Sequence, residues 1–183
     1  MDCLNKQALT GFDPLKKIRL YGIVEESYVD GTGIRFTIFT QGCFHNCRGC
    51  HNENSHDPAG GYEVELLTIC NQIAENPLLD GITLSGGEPF LQAEACAVIA
   101  RHCKETLGLT VWAYTGYLFE ELLEMENAEV LLKEIDVLVD GKFIEEFASY
   151  ELVFRGSKNQ RIIDVKQSLA TGAVVEMELN IAK

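Results

Sequence analysis

Hydrophobic positions along this chain recur in two rhythms. Short runs of β-branched and aromatic residues alternate with longer stretches in which apolar side chains return every three or four positions. The first run, Ile34 to Thr40 (IRFTIFT), predicts a strand. From Tyr62 to Asn76, Leu66, Leu67, Cys70, Ile73 and Ala74 share one helical face, and Pro77 ends it. Gly81 to Ser85 (GITLS) predicts a short buried strand. Phe90 to Leu107 returns to helical spacing through Leu91, Ala95, Val98, Ile99 and Cys103, with Gly108 just past its end. Leu109 to Tyr114 is another strand, Leu118 to Glu134 a helix in one or two pieces, and Ile135 to Asp140 a fourth strand. Arg161 to Val165 and Val174 to Leu179 are further strand candidates.

Strands alternating with helices predict crossover connections and a parallel sheet. After each of the four main strands comes a small or polar cluster: QGC from Gln41, SGGEP from Ser85, YTGY from Tyr114 and DGK from Asp140. In a parallel α/β sheet these connections all open onto one edge, so four candidate motifs fall where one pocket can gather them.

Composition narrows the setting. At 183 residues the chain suits one domain, and 46% hydrophobic with 23% charged residues is ordinary for a soluble globular protein. The formal net charge of −13 argues against nucleic acid and anionic membrane as partners. Between Gly116 and Glu151 there are eleven acidic residues and two lysines, Lys133 and Lys142, which reads first as a solvated helical face. No run of apolar residues resembles a signal peptide or membrane span, and seven cysteines, an odd number, do not suit a secreted disulfide framework. A cytoplasmic location is expected.

The densest chemistry is QGCFHNCRGCHN, Gln41 to Asn52. Cys43, Cys47 and Cys50 follow a C-x3-C-x2-C spacing and have His45 and His51 among them. Three thiolates on one loop can hold three corners of a cubane iron–sulfur cluster and leave one iron open. With His45, His51 or His56 they can also form a Cys3His zinc site. Cys47 to His51 fits the C-x-x-C-H haem pattern too, although that attachment suits an exported protein. Cys70, Cys96 and Cys103 fall on helical faces and read as core, and Cys3 lies in the N-terminal segment. Gly86 and Gly87 let a ligand approach the backbone closely, and Glu88 adds a carboxylate that can receive an ammonium group.

C-x3-C-x2-C followed by a GGE turn resembles the radical SAM superfamily. The stretch from Val29 to Asn52 (VDGTGIRFTIFTQGCFHNCRGCHN) is similar to the start of the activating enzymes of glycyl-radical enzymes. VWAYTGY, DVLVDGKF and FRGSKNQRIIDV are similar to the activating proteins of anaerobic ribonucleoside-triphosphate reductases. The match runs from about Ile18 to Val165.

The resemblance implies a 4Fe–4S cluster on Cys43, Cys47 and Cys50, with S-adenosylmethionine chelating the open iron. It implies Gly86, Gly87 and Glu88 around the methionine amino group, and Gly49, Cys50 and His51 beside the nucleoside. Asp140 and Lys142 would contact the ribose or carboxylate, or else form only a surface turn. Where many superfamily members carry an aromatic residue before the third cysteine, this chain has Gly49, as the reductase activases do.

The implied reaction is cleavage of S-adenosylmethionine to methionine and a 5′-deoxyadenosyl radical, which takes a hydrogen from a glycine Cα of the reductase. The implied partners are that glycyl-radical protein and an electron donor such as a flavodoxin or ferredoxin. The alternatives are activation of another glycyl-radical enzyme such as a formate-lyase, or a non-enzymatic zinc or electron-transfer module. About six βα units fit in this length, against about 250 residues for a full eight-unit barrel. An incomplete TIM-type barrel is therefore expected, with parallel strands and the site at their C-terminal edge. It forms a single domain over residues 1–183, with 1–17 as a mobile extension.

Overall fold

A computed structural model describes residue 13 and residues 16–179. It is a mixed α/β fold built on one seven-stranded sheet. The strands are β1 (Lys17–Ser27), β2 (Arg35–Thr40), β3 (Tyr62–Glu65), β4 (Gly81–Gly86), β5 (Thr110–Tyr114), β6 (Val137–Asp140) and β7 (Arg161–Asp164). The helices are α1 (Leu66–Glu75), α2 (Ala93–Leu107), α3 (Phe119–Glu124), α4 (Ala128–Leu132) and α5 (Val165–Thr171). Strand order is β3-β1-β2-β4-β5-β6-β7.

The parallel sheet expected from the alternation is its centre. β2, β4, β5 and β6 run parallel, with Phe36 opposite Ile82, Ile82 opposite Val111, and Trp112 opposite Val137. The flanks differ from expectation. β1 pairs antiparallel with β2 and β3, and β7 pairs antiparallel with β6. The connection from β6 to β7 holds one 3-10 turn, Glu145–Phe147, and no crossover helix, so the chain returns in the opposite direction.

Three boundaries are corrected. Tyr62 to Glu65, expected as the first turn of a helix, is strand β3: it pairs with Lys17 to Leu20, and α1 starts at Leu66. Val174 to Leu179 makes only a bridge, Glu176 opposite Ile163. Lys17, placed in the mobile extension, opens β1; residues 1–12, 14 and 15 lie outside the described residues. Among the described residues no helix is long and apolar enough to cross a membrane.

Period-two alternation divides the central strands between two faces. Phe36, Ile38, Ile82, Leu84, Val111, Ala113 and Leu138 join Leu66, Ile69 and Ile73 of α1 and Ile99 and Cys103 of α2 in the main core. The opposite face carries a smaller cluster of Trp112, Val137, Val139 and Ile162, with Tyr114 and Phe154 against it. Beside that cluster the face turns polar. Arg35 is fully buried there; its Nε donates to Thr83 Oγ1 at 2.7 Å and its Nη2 to Thr110 O at 3.0 Å. Burial pulls its pKa down to about 10. The guanidinium thus ties the first residues of β2, β4 and β5 together at the end of the sheet away from the motif-bearing connections.

Candidate functional site

The connection after β2 is a closed loop. Gly42 N–H donates to Ser55 O at 2.8 Å and Cys43 N–H to His56 O at 3.0 Å, which fold residues 43–55 back on their own base. Gln41 Nε2 reinforces the closure by donating to Asn54 O and Asp57 O. Within the loop, Cys50 N–H donates to Cys47 O, and Gly49, at φ +72°, makes the turn between the two cysteines.

Cys43, Cys47 and Cys50 all line a cavity of about 620 Å3, within the usual size of small-ligand sites. The end of β4 and the residue after it, Ser85, Gly86 and Gly87, line the same cavity. The connections after β5 and β6 contribute Thr115, Gly116, Gly141 and Phe143. The floor is set by Phe39 and Tyr114 from β2 and β5. The four motif clusters do gather at one edge.

The glycine turn is steric in origin. Gly86 has φ +96°, and a Cβ there would lie 2.6 Å from the backbone of Phe39. A Cβ on Gly87 would lie 2.4 Å from the carbonyl oxygen of Gly42, with which Glu88 N–H makes a 2.8 Å hydrogen bond. The turn and the cysteine loop are stitched together at this point.

Burial raises the thiol pKa of Cys43 and of Cys47, Cys47 being partly relieved by a backbone hydrogen bond from Phe143 and the charge of Lys142. Thiols in that state need a cationic group to hold them as thiolates, which a bound metal centre supplies. Among the described residues no three His, Cys, Asp or Glu side chains converge as ligands of a single ion. Three cysteine thiols lining one cavity are the ligand type that iron–sulfur clusters use.

Several expected residues sit elsewhere. Gly49 is outside the cavity wall, with the Glu145 carboxylate 3.2 Å from where its Cβ would be, while His51 lines the wall with its ring 5.2 Å from that of Phe143. The Glu88 carboxylate is 1% exposed and engaged with neighbours rather than with the cavity. Asp140, expected at the cofactor or on a surface turn, is fully buried: Phe119 N–H donates to it, and Arg161 grips both its oxygens. Those bonds, with Glu120, push the Arg161 pKa up. Lys142 is exposed and does not line the cavity. Cys70, Cys96 and Cys103 are buried in the core.

Arg155, which no local pattern in the sequence marks out, lines the cavity. Its Nη1 donates to Gln160 O at 2.7 Å, and no carboxylate pairs with it among the described ion pairs. In the sequence the FRGSKNQ run carries only the family resemblance. Its chemistry is that Gln160 Oε1 accepts from Gly156 and Ser157 while its Nε2 donates to Gly141 O, which fixes the arginine's loop to the connection after β6.

Residues 29–163 match the family model of the 4Fe-4S single cluster domain. The anaerobic ribonucleoside-triphosphate reductase-activating protein of Haemophilus influenzae is 39% identical over 141 residues, 73% of this chain and 90% of that one. Its counterpart from Vibrio cholerae is 40% identical over the same shares, and that of Escherichia coli K12 is 34% identical over 139 residues, 72% and 89%. Among solved structures, QueE from Escherichia coli superposes with TM-score 0.42 at 13% identity, over 62% of this chain and 58% of that chain.

Proposed function

The chain belongs to the family of anaerobic ribonucleoside-triphosphate reductase-activating proteins, and from that premise we propose how it sets a glycyl radical on such a reductase. Cys43, Cys47 and Cys50 would hold a 4Fe–4S cluster, and the Gly86–Gly87 turn would receive S-adenosylmethionine in the same cavity. The observation that carries this reading is that the three thiols and the turn line a single cavity.

When bound, the cluster and S-adenosylmethionine together supply one-electron cleavage of the sulfonium and the hydrogen-abstracting radical. The protein's own residues bind, orient and shield. The main chain at Gly86 and Gly87, with no Cβ in the way, receives the amino group. Arg155, the cavity's cation without a carboxylate, receives the negative end of the ligand. The apolar walls from Phe39, Phe143 and Phe154 keep water from the reacting centre. Abstraction from carbon needs no acid–base pair.

We read the sheet as an incomplete barrel whose helix-free face is the open side. Tyr28, Val29, Tyr150 and Val153 stand exposed; Val29 itself lines the cavity beside Tyr28, and Tyr150 and Val153 adjoin the lining segment 152–156. A glycine-bearing peptide loop of the reductase enters between them. A flavodoxin or ferredoxin supplies the electron, in a cytoplasmic setting where the thiols stay reduced.

Oxygen-free purification with iron, sulfide and zinc analysis tests the metal. Iron with matching sulfide is expected, and about one zinc without sulfide contradicts the reading. Cys47→Ala should abolish formation of 5′-deoxyadenosine from S-adenosylmethionine under reducing conditions; retained turnover contradicts the ligand set.

A further inference from the structure

Glu88 lies at the meeting point of three connections. Its Oε1 accepts from Phe90 N–H at 3.1 Å and Thr115 Oγ1–H at 2.9 Å. Its Oε2 accepts from Gly116 N–H at 2.9 Å and lies 2.9 Å from His45 Nε2. A carboxylate offers about four acceptor sites, and these neighbours occupy them. His45 comes from within the cysteine loop, Thr115 and Gly116 from the connection after β5. The His45 side chain is 9% exposed, with Tyr117 edge-on at 4.5 Å. A Cβ on Gly116 would stand 2.3 Å from the His45 ring, so the ring packs directly on that backbone.

We propose that His45 and Glu88 are a positioning pair which fixes the distance between the cysteine loop and the Gly86–Gly87 turn, and that the Glu88 carboxylate does not touch the cofactor. The inference rests on the function proposed above, in which one small molecule must reach both the cluster and the turn. Such a ligand tolerates about 0.5 Å of error in their separation. Glu88 N–H on Gly42 O sets one point of contact between the two segments, and His45 on the carboxylate sets a second. Two points define an angle where one would leave a hinge. Thr115 and Gly116 hold the carboxylate from behind, so its own position is determined by β5 rather than by the ligand.

The test compares the whole chain, reconstituted without oxygen, with five variants: His45→Ala, His45→Gln, Glu88→Gln, Thr115→Val and the double variant His45→Ala with Glu88→Gln. Iron and sulfide content, S-adenosylmethionine affinity and the electron paramagnetic resonance (EPR) spectrum of the reduced cluster are read on each. His45→Ala and Thr115→Val should keep their iron and bind S-adenosylmethionine about tenfold or more weakly, with a diminished spectral response to it. His45→Gln, which keeps an N–H donor, should recover affinity to within about twofold of wild type. Combining His45→Ala with Glu88→Gln should add little to Glu88→Gln alone, since the two act as a unit.

The proposal is overturned if His45→Ala matches wild type while Glu88→Gln loses the spectral response, for the carboxylate then touches the ligand itself. Loss of iron from His45→Ala also overturns it. If His45→Ala does not fold, unchanged affinity in Thr115→Val does so instead. A wild-type protein with no response to S-adenosylmethionine counts against the function; a responsive wild type with indifferent variants counts against the pair alone.

Discussion

Burial sorts the cysteines. Cys96 and Cys103 are fully buried and Cys70 nearly so, and burial pushes the thiols of Cys70 and Cys96 up to about 12, with Cys103 raised as well. Cys47 and Cys50 are half-buried on the cavity wall. Iodoacetamide at pH 8 should therefore alkylate Cys47 and Cys50 of the metal-free protein and spare the three core thiols, as peptide mass mapping will show. Early labelling of Cys96 contradicts this. Asp140 gives a second prediction at this scale. Asp140→Asn leaves Arg161 with Glu120 as its one remaining charged partner among the described residues and should cost roughly 1–3 kcal/mol in denaturant unfolding. S-adenosylmethionine affinity should stay near wild type; a large loss would return Asp140 to the cofactor. The cysteine motif was legible because its spacing is local. The engagement of Glu88 was not, because its partners His45 and Thr115 lie 43 and 27 residues away. Asp140 misled for the same reason: Arg161 is 21 residues distant, and nothing local says that a DGK turn hides its carboxylate.

Strands β2, β4, β5 and β6 announce themselves as β-branched and aromatic runs because both their faces are covered. β1 does not: KIRLYGIVEES mixes charges with apolar residues, and its pairing with β2 slips register at two places. β3 is four largely exposed residues that exist by pairing with β1, a contact some 45 residues away in sequence. Direction is equally silent in a sequence, and β7 runs antiparallel because no helix precedes it. The element-scale prediction concerns the junction of β2 and β4. Gly86→Ala would drive a Cβ into the Phe39 backbone from a left-handed conformation, and should destabilise the protein by roughly 1–3 kcal/mol. It should also abolish S-adenosylmethionine binding in the fraction that folds. Gly22→Ala in β1 is the control, for its Cβ meets nothing within 4 Å. Thermal melts followed by circular dichroism, with binding measured alongside, separate the two; equal behaviour contradicts the steric account of the turn.

At the scale of the whole molecule, helices cover one face of the sheet, and the other carries the small cluster around Trp112, the buried Arg35 and the cavity. Alternating strands and helices were enough to bring four connections to one edge. They could not show that one face stays free of helices, since that follows from the antiparallel flanks. The arrangement answers the needs of a substrate that is itself a protein backbone: three cysteines line the cavity, and exposed apolar residues stand in or beside the segments that line it. The most direct measurement mixes the chain with an anaerobic ribonucleoside-triphosphate reductase, S-adenosylmethionine and a reductant, and records the EPR spectrum. The account predicts a glycyl-radical doublet on the reductase that needs all four components and is lost with Cys47→Ala. A reductase that stays free of radical while S-adenosylmethionine is consumed would contradict it.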